Sequence, residues 1–138
     1  MPLPSNLLTN EVKNSAGTEV EFNRLSVLDR SVTFAQAGET PNLQHRLKVS
    51  HLEVGVGALL RRRSVVRVDK TITGSSGSPR TISAYLVLDI PVGDVANFTE
   101  TTNCAAELLS FCASTGASTT ILYDGTGYGA AALINGSL

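Results

Sequence analysis

Between Leu43 and Asp89 charged or polar residues alternate with apolar ones at a period of two, a pattern that an extended strand turns into two distinct faces. From Gln44 to Leu52, Arg46, Lys48 and Ser50 point one way, and Leu47, Val49 and His51 the other. In RRRSVVRVDK, Arg61, Arg63, Val65 and Arg67 share a face opposite Ser64, Val66 and Val68. In RTISAYLVLDI, Ile82, Ala84, Leu86, Leu88 and Ile90 make an unbroken apolar face opposite Thr81, Ser83, Tyr85, Val87 and Asp89. Three strands of matching character imply an antiparallel sheet with one basic, polar face and one apolar face. Arg62 cannot share the side of Arg61 and Arg63, so it belongs to the opposite face.

Residues 46–80 hold eight basic side chains (Arg46, Lys48, Arg61, Arg62, Arg63, Arg67, Lys70, Arg80) against Glu53 and Asp69, a net +6. The whole chain carries −1, so the remainder carries −7. A basic sheet within an acidic periphery points to a polyanion held on one surface. For any one of these residues a solvated strand face explains the charge equally well, but recurrence on three strands favours a binding face. Arginines and lysines can contact phosphates, while Ser50, Ser83 and Tyr85 can hydrogen-bond to or stack on exposed bases. Tyr85 can also simply fill part of the sheet surface.

At 138 residues, 42% of them hydrophobic and 17% charged, the chain suits one globular domain rather than a disordered segment. No apolar run approaches the roughly 20 residues that span a bilayer, and MPLPSNLL lacks a basic start, so synthesis in the cytoplasm without membrane association is expected. Residues 1–30 read as an arm and a hairpin, with Leu7–Lys13 and Thr18–Arg24 flanking the turn Asn14-Ser15-Ala16-Gly17. Residues 31–92 read as the sheet: a short strand Ser31–Gln36, a long strand to about Val54, a turn marked by Gly55 and Gly57, the arginine strand to about Thr73, a flexible Gly74–Pro79 loop, and a last strand from Arg80 to about Val92.

Residues 97–138 read as a helical region. Cys104, Ala105, Leu108, Leu109, Phe111 and Cys112 follow helical spacing from Thr101 to Thr115, with Thr101 or Thr102 as cap and Gly116 as a left-handed terminator. Ser118–Tyr123 is compatible with a short helix or a strand, and the glycines at 125, 127 and 129 are expected to break any long element. Cys104 and Cys112, about 12 Å apart along a helix, are too far apart for a mutual disulfide and are expected to be buried thiols.

Catalytic constellations are missing. His45 and His51 lie at or near the core-facing parity of one strand and read as structural; no Cys-x-x-Cys or His-x-x-x-His spacing exists; the 125–129 glycine run lacks a preceding strand. We therefore expect no enzyme activity, cofactor, metal or small-molecule substrate. Five strands at about 4.8 Å make a sheet roughly 24 Å wide, which one helix of about 10–12 Å cannot cover. An obligate dimer is expected to solve this, with the last strand pairing about a two-fold axis and Leu86, Leu88, Leu108, Phe111 and Cys112 in the interface.

The order of these elements, with LKVSHLEV and RRRSVVRVDK as paired strands, SAYLVLDIPV as the last strand and ETTNCAAELLSFCA as the following helix, resembles the coat proteins of the small single-stranded RNA bacteriophages, the leviviruses. The resemblance covers nearly the whole chain. It implies an α+β fold, with an N-terminal hairpin, an antiparallel sheet of about five strands and C-terminal helix or helices, intertwined as a dimer with a continuous sheet. It also implies an icosahedral virion and an RNA hairpin of the phage genome on the sheet's interior face, where Lys48 and Ser50 match the family's first RNA strand and Arg63 and Arg67 its second. Val65 stands where the family often has threonine, and Tyr85 falls at the stacking position of the last strand. The Thr73–Pro79 loop would lie around the symmetry axes.

Overall fold

The computed structural model describes residue 7, residues 11–117 and residues 120–137. The expected extended arm at residues 1–6 lies outside them. The chain divides into two compact units, one of Met1–Val12 with Val20–Val95 and one of Lys13–Glu19 with Ala96–Leu138.

The first unit is one antiparallel sheet of five strands in sequential order: β1 (Phe22–Leu28), β2 (Ser31–Gln36), β3 (His45–Val54), β4 (Arg61–Thr73) and β5 (Pro79–Ile90). The alternation has the register expected of it. Leu47 pairs with Val68 and Val49 with Val66, while Lys48 pairs with Arg67, and Arg67 in turn with Tyr85. Arg62 sits opposite Glu53 on the apolar side, away from Arg61 and Arg63. Gly55 and Gly57 have φ of 98° and 60°, the left-handed backbone that turns β3 through a short 3-10 segment into β4. The Gly74–Pro79 loop is tighter than expected: β4 runs to Thr73, β5 starts at Pro79, and the Gly74 N–H donates to the Ser78 carbonyl at 2.8 Å.

The sequence reading missed β1, for a visible reason. A bulge between Arg24 and Ser26 inserts Leu25 and switches the side-chain parity, so FNRLSVL shows no clean alternation although Arg24 faces Phe34 and Val27 faces Val32. The β1–β2 turn also lacks glycine. Arg30 itself takes the left-handed conformation, φ 61°, and its side chain pairs with Glu53.

The core lies on the apolar face at the β1–β3 side. Phe22 and Phe34 are fully buried with Leu47, flanked by Leu7, Val12 and Val20 from the N-terminal segment and by Val32, Val49, Val66 and Val68 from the sheet. Each buried phenylalanine contributes about 1.5–3 kcal/mol relative to exposure. The edge of the His45 ring meets the Phe22 ring at 5.0 Å, and His51 Nδ1 lies 2.8 Å from Ser64 Oγ, so both histidines have structural surroundings.

In the second unit the Asn14–Gly17 turn is closed by Asn14 Oδ1, which accepts from the N–H groups of Ala16 and Thr18. Of the expected hairpin, the described residues show a bridge from Lys13 to Glu19, and residues 8–10 of its first strand lie outside them. Helix α1 spans Thr99–Ala113, two residues earlier at each end than the sequence suggested. Asn97 Oδ1 accepts from the Thr99 N–H at 3.0 Å, while the Thr102 hydroxyl turns back to the Phe98 carbonyl inside the first turn, so neither Thr101 nor Thr102 is the cap. The helix closes at Ser114 in extended conformation; Gly116, at φ 92°, bends the chain beyond it.

The tail then forms a second helix, α2 (Tyr128–Asn135), within the region read as helical but across Gly129, which was expected to break structure. Glycines 127 and 129 permit a close approach: a Cβ on Gly129 would lie 2.3 Å from the Phe111 carbonyl oxygen and 2.8 Å from its ring, and one on Gly127 2.6 Å from the Ser114 carbonyl oxygen. Ile121 makes an isolated bridge with Ser114; residues 120–123 form neither a helix nor a regular strand, and residues 118–119 of that ambiguous segment lie outside the described residues. The cysteines depart from expectation too. Both are free, with Cys104 exposed and Cys112 half-buried, because Cys104 lies on an uncovered side of α1.

Candidate nucleic-acid interface

Alternation and pairing bring the expected site residues onto one face of the sheet. Arg46, Lys48 and Ser50 of β3 lie beside Asp69, Arg67 and Val65 of β4, which lie beside Ser83, Tyr85 and Val87 of β5. Arg63 pairs across to Asp89, and Arg61 starts β4 on the same side. The result is a lattice of rows, of which Thr33–Lys48–Arg67–Tyr85 and Ser31–Ser50–Val65–Val87 are the two central ones.

The electrostatics of this face are less positive than the charge count implied. The Arg46 guanidinium donates to both carboxylate oxygens of Glu39, at 2.8–3.0 Å, and Glu39 also accepts from the His45 backbone N–H. That fork holds the Glu39 carboxyl below the usual range and the Arg46 guanidinium above its own. Arg61 donates to Asp89 at 2.9 Å. Arg67 Nε donates to Asp69 at 2.9 Å and its Nη2 to Ser83 Oγ at 3.2 Å, while the Ser83 hydroxyl donates to Asp69. The Ser83 hydroxyl first, and Arg67 after it, keep the Asp69 carboxyl below its usual range.

Three of the five cations on this face are thus tied to carboxylates. Lys48 and Arg63 make no ion pair or hydrogen bond through their side chains with any described residue, and both are exposed. The Arg67 guanidinium also lies over the Tyr85 ring, 5.4 Å from its centroid, with the tyrosine 63% exposed. Glu39, Asp69 and Asp89 were the residues that charge counting missed as parts of the site. The parity of the two aspartates was readable, but that Glu39 reaches back to Arg46 depends on the turn after β2.

The expected interface residues remain partly open in the chain by itself. Leu86 and Leu88 are half-buried on the apolar face, Cys112 is half-buried, and Leu108 and Phe111 are exposed on α1. Ile82, on the same face of β5 as Leu86 and Leu88, is 57% exposed, and the outer edge of β5 has no strand neighbour among the described residues. No three His, Cys, Asp or Glu side chains gather to hold a metal among these residues, and no helix is long and apolar enough to cross a membrane.

Comparison with solved structures bears on this architecture. The coat protein of bacteriophage EMS014 superposes with a TM-score of 0.76, covering 99% of each chain at 11% identity. The chain has the coat-protein fold. Virus-like particles of Beihai levi-like virus 32 (TM-score 0.51, 20% identity, 67% of this chain and 75% of that one) and of bacteriophage GQ-907 (0.51, 10%, 79% and 85%) share it more loosely. No family model and no curated protein matches the sequence. At 9–20% identity this coat-protein fold is held by pattern: alternating strands, a five-strand order and terminal helices, with few side chains in common.

Proposed function

We propose that this chain is the coat protein of a small single-stranded RNA phage. It dimerises, assembles into a closed icosahedral shell in the cytoplasm of a bacterial host, and packages genomic RNA against the polar face of its sheet. The observation that carries the reading is the end-to-end superposition on a phage coat protein, because it covers both units.

Two features of the chain support self-association independently. β5 is twelve residues long with an open edge, and its apolar face retains the exposed Ile82 next to Leu86 and Leu88. An isologous pairing of β5 with its copy extends the sheet across a two-fold axis, and α1 of each copy, with Leu108 and Phe111 exposed, supplies the cover for the partner's sheet. The RNA lies against the opposite face, which Arg46, Lys48, Ser50, Arg61, Arg63, Val65, Arg67, Ser83 and Tyr85 share, and an operator hairpin is the expected ligand.

Electron microscopy of the purified protein, with the absorbance ratio at 260 and 280 nm, tests the reading. Closed shells rich in nucleic acid are the expected result. Discrete small oligomers that bind single strands would instead indicate a cellular nucleic-acid-binding protein, and filaments without nucleic acid a structural subunit of another kind.

A further inference from the structure

The five cations of the polar face are not equivalent. Arg46, Arg61 and Arg67 each have a carboxylate within hydrogen-bond distance, whereas Lys48 and Arg63 have none among the described residues. A phosphate approaching Arg67 meets the Asp69 carboxylate in the same fork, and one approaching Arg46 meets Glu39. We propose that the carboxylates sort these cations: Lys48 and Arg63 take phosphates of a single-stranded RNA, while Asp69 and Glu39 keep phosphates off Arg67 and Arg46.

This rests on the RNA reading above and adds which side chains carry it. Arg63 lies four residues along β4 from Arg67, the cross-strand neighbour of Lys48. At about 3.3 Å per residue and 4.8 Å per strand, the two free cations attach roughly 14 Å apart, so they serve two different phosphates. The row between them, Ser50–Val65–Val87, is uncharged. Arg67, fixed by Asp69 and Ser83, becomes a positioning residue that holds the Tyr85 ring against rotation and leaves it exposed for a base. Asp89 lies opposite Arg63 but bonds to Arg61, so among the described residues no carboxylate takes the donors of Arg63.

The test is the salt dependence of binding to a fluorescent oligouridylate by dimers checked by light scattering. On a log–log plot each phosphate contact with a single strand contributes about 0.7 to the slope. Lys48→Gln and Arg63→Gln should each lower the slope by about that amount. Arg67→Gln should leave the slope as it is while weakening binding by a similar factor at every salt concentration, and Tyr85→Leu should do the same. Asp69→Asn should raise the slope by about 0.7, because it frees Arg67 for a phosphate. Glu39→Gln and Arg46→Gln repeat this pair of measurements at a separate site, should a substitution at 67 or 69 disturb folding. A slope lowered as much by Arg67→Gln as by Lys48→Gln, or unmoved by both Asp69→Asn and Glu39→Gln, overturns the sorting while leaving RNA binding in place. An unmodified protein that does not bind the oligonucleotide overturns both.

Discussion

The two halves of the apolar face carry the same alternating pattern and meet different fates. At β1–β3, Phe22, Phe34 and Leu47 are at most 8% exposed, covered by Leu7, Val12 and Val20 of the N-terminal segment. At β5 the equivalent positions Ile82 and Ala84 are exposed, Leu86 and Leu88 only half-buried, and Ile90 at the strand's end is buried. Sequence alternation therefore specifies which side of a strand is apolar, but not what covers it. The N-terminal segment covers one end of the sheet; in the reading proposed above, a second copy covers the other.

Breaking the second-copy cover should have the largest effect. Phe111→Asp places a charge where α1 is proposed to meet the partner, and loss of dimer and soluble fold together is expected by sedimentation. A stable, folded monomer, of this variant or of the parent, would end the dimer reading. Phe34→Ala comes next. It empties a fully buried site and should cost about 3–5 kcal/mol in denaturant unfolding. Ile82→Ala should cost less, about 1–2 kcal/mol, since its site is 57% exposed in the single chain and its further cover is the proposed partner. Equal losses at 34 and 82 would contradict a sheet closed at one end only.

The smallest effect sharpens the closed end. Burial first, and the Lys70 charge second, hold the His45 imidazole below its usual value of about 6.5. The unfolded chain then takes up a proton more readily than the folded one, so stability should fall as pH drops through about 6.5 and level off below the folded value. Glu39 and Asp69, with lowered values, lose their contribution only at more acid pH, as the solution falls below about 4. Urea midpoints across the upper range measure the His45 part, and His45→Gln should flatten it. A parent profile that is already flat there would contradict the assignment.

Much of this was legible because strands expose their parity in the sequence. β2 occupies the residues expected of it, β4 and β5 pair in the register their apolar faces demand, and Arg62 turned away from its neighbours for the same reason. What was not legible depends on breaks in periodicity or on partners far along the chain. The Leu25 bulge hid β1, glycines that permit close packing were read as glycines that end structure, and the Arg46–Glu39 fork joins residues on either side of a turn. Charge counting located the polar face and overestimated it, since a count cannot see a carboxylate folded back onto an arginine.

The packing of α2 has a consequence for genetics. Because a Cβ on Gly129 would lie 2.3 Å from the Phe111 carbonyl oxygen and 2.8 Å from its ring, an added methyl group there must displace the backbone of α1 as well as that ring. Screens for destabilised variants should therefore return substitutions at 127 and 129, positions with no side chain to offer a neighbour, and a smaller residue at 111 should fail to rescue them, because the nearest clashes are with the backbone carbonyl oxygens of Phe111 and Ser114. An inheritance pattern of that kind would trace the packing of the second helix to a tail whose sequence looked like a mere stop signal.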